Sequence, residues 1–433
     1  MAQASDPHAA IATQAAGVAD VGLLTTADGL PLTRALARSQ SRARRRAFLL
    51  VLPLLAFVLI TFVVPIGQML MRSFHNDGFS ANMPQISAWF AENPAGTEPD
   101  DAAWAALAAD LQASAEVRSI GVVGTRINYD VPGTRSLFTS TGRKVRDGIE
   151  QPYRQTLLQI DEEWGDPTLW GAMRQASRPV TANFYLASVD RTRAADGSIE
   201  RVEPRQRVYV MLFMRTFWLS LAITGLTFLL GFPVAHLLAT LPMRKSNLLM
   251  ILVLLPFWTS LLVRTTSWMV LLQQQGVLND MFVWLGFIDN GQRLQMIYNR
   301  TGTIIAMTHI LLPFMILPLY SVMRTINPSY VRAARSLGAT SWTAFRRIYF
   351  PQTLPGLGAG ALLVFILAVG YYITPALVGG ASGQLISNMI AEHMTGTLNW
   401  SMAAALAAIL LAAVLVLYWL YDRLVGIDNL KLG

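Results

Sequence analysis

A basic loop in the last third of the chain carries its most specific residue spacing. The pair Ala333-Ala334 is followed, after three residues, by Gly338. Nine residues after Gly338 come Ile348 and then Pro351. Four arginines accompany them: Arg332, Arg335, Arg346 and Arg347. These residue types supply no nucleophile, metal ligand or general acid–base pair. The chemistry they fit is non-covalent recognition of a protein surface.

The same loop predicts a short helix, a glycine break and a second short helix. Ser329 is expected to cap the first helix, Gly338 to end it in a left-handed conformation, and Ser341 to cap the next. One face of the first helix collects four residues: Tyr330, Ala333, Ala334 and Leu337. Such an elbow, apolar on one face and rimmed by arginines, suits docking into a groove on a partner protein.

Catalytic and metal-binding patterns are missing from the sequence. A phosphate-binding loop needs Gly-x-x-x-x-Gly-Lys-Ser/Thr, and Lys144, Lys245 and Lys431 all stand in other settings. There is no His-Glu-x-x-His, no Gly-x-Ser-x-Gly and no cysteine. We therefore expect neither an enzyme nor a metal or cofactor site.

The composition indicates a membrane protein. The chain is 53% hydrophobic and 14% charged, whereas soluble chains carry about a quarter charged residues. Six apolar segments approach or exceed the roughly 20 residues that cross a bilayer. They are 47–71, 209–240, 248–272, 301–324, 354–378 and 399–421.

The charge distribution predicts how the spans are oriented. The connections 241–247 and 325–350 contain Lys or Arg and no Asp or Glu, which marks them as cytoplasmic. Residues 73–205 hold 13 Lys/Arg and 18 Asp/Glu, a net charge of −5; the remainder holds 21 and 8, a net charge of +13. The apolar stretch begins only after Arg46, so we expect the first span to remain uncleaved.

These patterns divide the chain into five predicted regions. They are a cytoplasmic tail at 1–46, a first span at 47–72, an external domain at 73–205, the remaining spans with the loop 327–351 at 206–424, and a cytoplasmic tail at 425–433.

The external domain shows helical periodicity. Pro99-Asp100-Asp101 is typical of a helix start, and three apolar residues then follow at helical spacing: Trp104, Leu107 and Leu111. A second helix is predicted from Val145, Ile149, Leu157 and Ile160. Turns are predicted at 130–133 and at Asp196-Gly197.

At its basic loop the chain resembles the coupling loop of type I ABC importer permeases. That family's pattern is Glu-Ala-Ala, three residues, Gly, nine residues and Ile-x-Leu-Pro; here Arg332 replaces the glutamate and Phe350 the leucine. The family glutamate is expected to meet a basic residue of the ATPase. Because Arg332 stands at this position, that contact is either lost or formed with the charges reversed, by an acidic residue of the ATPase. The alternative is an ordinary amphipathic loop at the membrane surface.

The resemblance covers most of residues 209–424 and narrows to the permeases of polyamine importers, of the spermidine/putrescine type. The resemblance rests on the order and spacing of four groups of residues. They are Leu255-Pro256-Phe257-Trp258-Thr259-Ser260 with Arg264, Gly276-Val277-Leu278-Asn279, Leu311-Leu312-Pro313-Phe314-Met315, and Gly379-Gly380 with Leu385-Ile386. The long segment 73–205 departs from the short one usual in that family.

The resemblance implies an all-α membrane protein of the type I importer permease fold, with six transmembrane helices. The sequence adds a mixed α/β or mainly helical periplasmic insert between helices 1 and 2. It implies a bacterial inner-membrane permease for a polyamine, with a homologous second permease, two ABC ATPases that bind ATP and Mg, and a periplasmic binding protein. Alternatives are a permease for an opine or amino-acid derivative, a secondary transporter, or a membrane-anchored sensor. A secondary transporter would be expected to show an internal repeat and buried carboxylates.

Aromatic and ionisable residues in and between the spans are candidates for the substrate path. Aromatic faces hold cations through contacts of about 0.5–2 kcal/mol each. The candidates are Trp258, Arg264, Trp268, Tyr320, Tyr371, Tyr372 and Glu392. For Arg215, His236 and His309 we favour roles in packing or at the membrane interface.

Overall fold

The computed structural model describes residues 32–194 and 198–425. The chain divides into two compact units, residues 1–69 and 70–433. Helix α1 (Leu32–Val58) runs through a π-helical turn at Leu59–Val63 into α2 (Val64–Arg72). Helix α1 thus begins inside the region predicted as a tail, while Ala43–Arg72 is long and apolar enough to span a bilayer.

The segment predicted as an external domain is mainly helical. Its helices are α3 (Asp77–Ser80), α4 (Pro84–Glu92), α5 (Asp101–Glu116), α6 (Ile120–Asn128), α7 (Thr134–Val145), α8 (Tyr153–Ile160), α9 (Pro167–Ala176) and α10 (Asn183–Ser188). A single antiparallel ribbon follows, with β1 (Arg191–Arg193) paired to β2 (Ile199–Arg201). Short 3-10 turns lie at Glu162–Gly165 and Pro204–Gln206. We call residues 73–205 the insert domain.

The insert domain has its own hydrophobic core. Trp104 packs edge-on against Trp170 with ring centroids 5.0 Å apart, and Leu107 and Leu111 are fully buried beside them. The Asp100 carboxylate accepts from the amide of Ala103, which confirms the predicted start of α5.

Two other predictions for this domain have different outcomes. The predicted second helix is wrong in extent, because Val145 ends α7 whereas Leu157 and Ile160 belong to α8. The turn at 130–133 is confirmed by the positive φ of Gly133. The turn at Asp196-Gly197 lies outside the described residues.

Within the insert domain, the two chain segments that flank residues 77–178 lie side by side. The amide of Asn76 donates to Pro179 O at 2.9 Å, and the amide of Thr181 donates to Phe74 O at 2.9 Å. The Asn76 side chain, 3% exposed, also donates to the carbonyl of Arg178. We call residues 74–76 and 179–181 the neck.

The remaining helices form the membrane core. They are α11 (Tyr209–Thr240), α12 (Met243–Leu254), α13 (Leu261–Leu272), α14 (Val277–Trp284), α15 (Arg300–Thr325), α16 (Pro328–Ser336), α17 (Ser341–Ala344), α18 (Phe350–Gly370), α19 (Ile373–Val378), α20 (Gly380–Gly383), α21 (Ile386–Thr395) and α22 (Trp400–Val425). A π-helical turn at Phe345–Tyr349 joins α17 to α18. Short 3-10 turns lie at Leu255–Trp258 and Asn290–Gln292.

Helix α15 is the centre of this core and packs against α11 and α18. Several of its side chains are fully buried: Met307, Leu311, Met315 and Leu319. A Cβ on Gly356 of α18 would lie 2.9 Å from Pro318 O, so only glycine allows this close approach. Small residues therefore bring the helix backbones together.

Two predicted spans differ from the structure. Residues 243–284 form a pair of helical segments bent by 97° near the turn that contains Pro256, rather than one straight span at 248–272. The span predicted at 354–378 instead runs from Ser341 to Gly370, where Tyr371 takes an extended conformation. Within the described residues, five helices could cross a membrane, or six if the bent pair counts as one.

Candidate functional site

The basic loop forms an elbow around Gly338. Helix α16 is capped by Asn327, whose side chain accepts from the amide of Ser329 at 2.9 Å, so the prediction that Ser329 is the cap is wrong. Gly338 has φ +89°, as predicted. Its amide donates to Arg335 O and the amide of Ala339 donates to Ala334 O, the paired bonds of a Schellman ending.

The second half of the elbow continues into a long helix. Thr340 caps it by accepting from the amide of Thr343 at 3.2 Å, so Ser341 is not the cap. Instead of a separate short helix, Ser341–Gly370 forms one apolar helical stretch that contains Ile348 and Pro351. Movement of the elbow is thereby connected directly to a span.

Large apolar side chains of the elbow point away from the rest of the chain. Leu337 is 89% exposed, Trp342 66% and Tyr330 55%. The surrounding arginines are also exposed, and the ion pairs among the described residues include none of them: Arg332, Arg335, Arg346 and Arg347. We call Tyr330, Leu337, Trp342 and these arginines the elbow surface. It has the composition of a docking site with an apolar centre and a basic rim.

An aromatic ladder connects the elbow surface to α11. Trp342 stacks on Phe345 with centroids 5.7 Å apart, and Phe345 stacks on Tyr349 at 5.9 Å. The Tyr349 hydroxyl lies 3.0 Å from Nδ1 of His236 on α11. Sequence reasoning gave His236 no role beyond packing, and the structure makes it the inner end of this ladder.

Within the membrane core, two of the predicted path residues lie near a histidine. The Nε1 of Trp268 donates to Nδ1 of His309 at 3.0 Å. Arg264 lies one turn before Trp268 on α13, and the hydroxyl of the adjacent Thr265 lies 3.1 Å from that of Thr374, three residues after Tyr371. Arg264, Trp268 and Tyr371 therefore belong to one neighbourhood, which also includes His309.

The other predicted path residues occupy different environments. Trp258 is 75% exposed in the 3-10 turn that follows α12, and Tyr320 packs partly buried in the main core. Tyr372 is exposed, with its carbonyl accepting from Asn388 at 2.7 Å. Glu392 lies exposed on α21. Their roles in transport stay predictions.

The insert domain is joined to the membrane core by polar contacts. Asp190 accepts through one oxygen from the amides of Val208 and Tyr209 and through the other from that of Val210, so it caps α11. The hydroxyl of Tyr129 donates to Thr397 O at 2.8 Å.

A second set of contacts reaches α21 and α22. The hydroxyl of Ser401 donates to His75 O at 2.8 Å. Within the membrane core, Nε2 of His393 lies 2.9 Å from the Tyr209 hydroxyl, and its Nδ1 lies 3.0 Å from that of Thr397, so the segments that the insert domain contacts are themselves joined. The insert domain is thus held against the starts of α11 and α22.

Comparisons with known proteins identify the family. Residues 209–426 match the profile of the "binding-protein-dependent transport system inner membrane component" family. The chain is 36% identical over 222 residues to the spermidine/putrescine transport system permease protein PotB of Escherichia coli K12, which covers 51% of this chain and 80% of that one. It is 32% identical over 232 residues to PotB of Haemophilus influenzae, covering 52% and 80%.

A solved bacterial alginate ABC transporter, in complex with an alginate pentasaccharide-bound periplasmic protein, is also similar. It shares 19% identity with a TM-score of 0.42, covering 51% of this chain and 79% of that one. The family consists of membrane permease subunits of ABC transporters rather than enzymes. This chain belongs to the family of inner membrane components of binding-protein-dependent transport systems.

Proposed function

We propose that this chain is the permease subunit of an importer for polyamines of the spermidine/putrescine type. The observation that carries the proposal is the 36% identity to PotB across 80% of that protein. The aromatic residues around Tyr371 and Trp268 support it, since aromatic faces hold organic cations.

The elbow surface is proposed to dock on an ABC ATPase that binds ATP and Mg. Leu337 and Trp342 would fill an apolar groove, while the surrounding arginines, with Arg332 in place of the family glutamate, would meet acidic side chains. A chain with one elbow serves one ATPase, so two ATPases require a homologous second permease beside this one. The aromatic ladder would transmit movement of the ATPase to α11.

In this arrangement the chain termini and the elbow face the cytoplasm and the insert domain faces the periplasm. The Lys/Arg-rich, acid-free connections support that orientation. The insert domain would then present its acidic surface, and its contacts with α11 and α22, on the side where the periplasmic binding protein delivers cargo.

Uptake by the reconstituted complex tests the proposal. The chain, its second permease and the ATPase are placed in proteoliposomes with the binding protein, and radiolabelled putrescine and spermidine uptake is measured with and without ATP. We expect ATP-dependent uptake of at least one of them. Uptake of neither, in a complex whose ATPase is stimulated by the binding protein, would exclude a polyamine cargo.

The same preparation tests the elbow surface. Leu337→Ser should reduce co-purification of the ATPase and ATP-dependent uptake by about tenfold, because a central apolar contact is lost. Val117→Ser is the matched control, since Val117 is also an exposed apolar residue (74%) but belongs to the insert domain. If the two variants co-purify equal amounts of the ATPase, the ATPase does not dock on the elbow surface.

A further inference from the structure

Arg264 has an incompletely satisfied guanidinium inside the membrane core. Its Nε is buried and has no hydrogen-bond partner among the described residues. The two ion pairs of the described residues, Arg126–Asp130 and Arg293–Asp280, do not include it. The Nε of Arg215 is likewise buried without a partner, but Nη1 of Arg215 donates to the carbonyl of Ala381, whereas the side chain of Arg264 makes no hydrogen bond to the described residues. An arginine left without an acceptor in a membrane domain is costly, so an acceptor from outside this chain is expected.

His309 presents a second free donor nearby. An indole N–H only donates, so the 3.0 Å contact from Trp268 requires Nδ1 of His309 to be the acceptor. The neutral ring therefore carries its hydrogen on Nε2. His309 is exposed although its neighbours Thr308 and Ile310 on α15 are buried, so its ring lies at the surface of the described chain.

The geometry brings these donors together. Arg264 and Trp268 are four residues apart on α13 and share a face, and Trp268 contacts His309. The hydroxyl of Thr265, next to Arg264, lies 3.1 Å from that of Thr374, which brings the start of α19 and the preceding Tyr371 beside Arg264. Among the described helices that could cross a membrane, the acidic residues are Asp280, which pairs with Arg293, and Asp422 near the end of α22.

We propose that Arg264 and His309, with Tyr371 beside them, form a carboxylate-binding site in the membrane core. A carboxylate offers two oxygens and about four lone pairs, which match a guanidinium and an imidazole N–H. The carboxylate comes either from a cargo that carries one beside its amines or from a side chain of the second permease. The inference rests on the proposed function, because it places the site in an importer built from two permeases.

The experiment uses the complete purified complex carrying wild-type chain, Arg264→Gln or Arg264→Lys. Arg244→Gln is the control, because Arg244 is exposed in the first turn of α12. Thermal midpoints and uptake are measured with putrescine and with ornithine, which differ by one carboxylate.

If the cargo supplies the carboxylate, ornithine stabilises the wild-type complex and putrescine does so less. Arg264→Gln then raises the half-maximal ornithine concentration by about tenfold or more, and Arg264→Lys restores part of it. If the second permease supplies it, Arg264→Gln lowers the thermal midpoint and recovery of the second permease without ligand, again with partial rescue by lysine.

If Arg264→Gln gives the same thermal midpoints, uptake and recovery of the second permease as Arg244→Gln, the carboxylate-binding site is wrong. Failure of the wild-type complex to take up any polyamine would instead overturn the proposed cargo. In that case the ornithine and stability measurements still decide whether the site exists.

Discussion

At the residue scale, Gly338 is the position on which the elbow depends. Its φ of +89° places it in the left-handed region, and a Cβ there would meet nothing within 4 Å. A substitution therefore introduces backbone strain without a steric clash. That makes Gly338 a site where the direction of the elbow can be changed without disturbing its packing.

We expect Gly338→Val to lower the number of cargo molecules imported per ATP hydrolysed several-fold while insertion into the membrane is unchanged. A side chain with a Cβ costs about 1–2 kcal/mol in the left-handed conformation, so the elbow relaxes to another angle. Gly338→Asn should be milder, because Asn tolerates this conformation.

A matched control is Gly96→Val, since Gly96 has φ +88° and equally open surroundings in the insert domain. Normal uptake per ATP in Gly338→Val would mean that the elbow does not transmit the ATPase movement.

At the element scale, the aromatic ladder links the elbow to α11. Trp342 and Phe345 stack, and Tyr349 closes the ladder on His236, so a displacement of α17 is carried to a different span through ring contacts. Trp342, Phe345 and Tyr349 are close together in sequence, whereas His236 is distant, so the contact between Tyr349 and His236 is the one that connects the elbow to α11.

A double-mutant cycle with Tyr349→Phe and His236→Leu measures this connection. Each single change removes the 3.0 Å contact, so the double variant should lose about 1 kcal/mol less stability than the sum of the two. Uptake per ATP should fall similarly in all three. Tyr418→Phe on α22, an exposed tyrosine, is the control. Strict additivity would show that the two residues act separately.

Local signals in the sequence predicted several features of these elements. The left-handed Gly338, the Asp100 cap and the apolar spans all depend on residues close together in the chain. The caps at Ser329 and Ser341 were wrong because Asn327 and Thr340, slightly upstream, compete for the same role. The contacts Tyr349–His236, Tyr129–Thr397 and Trp268–His309 join distant residues, so periodicity and spacing contain no signal for them.

At the scale of the whole molecule, the insert domain is attached through a narrow neck yet held by contacts on both sides of it. Asp190 caps α11, and Tyr129 reaches the chain just before α22. The domain therefore has a separate core and a fixed orientation on the membrane core, as a platform for a docking protein requires.

Removing residues 77–178 and joining Asn76 to Pro179 with two glycines tests the docking role. The neck residues are already hydrogen-bonded, so the membrane core should still assemble. We expect binding-protein stimulation of the ATPase to fall about tenfold, and the loss to shrink at high salt, where charge attraction is screened over about 8–10 Å.

Two variants show whether the loss of stimulation comes from a lost contact with the membrane core or from lost acidic charge. Tyr129→Phe removes only the contact to Thr397, whereas Glu162→Gln with Glu163→Gln removes exposed acidic charge and keeps the domain. Equal stimulation in the shortened complex at every salt concentration would make the domain an accessory rather than a platform.

The Asp190 cap also has a consequence for biogenesis. The amides at the start of α11 are satisfied by a carboxylate that belongs to the insert domain, so this helix obtains its correct beginning only after the chain around 190–208 has folded. Domains generally fold as units and in order of synthesis. The insert domain would therefore fold before α11 reaches its final depth in the bilayer. A folding defect in that domain would appear first as a misplaced second span.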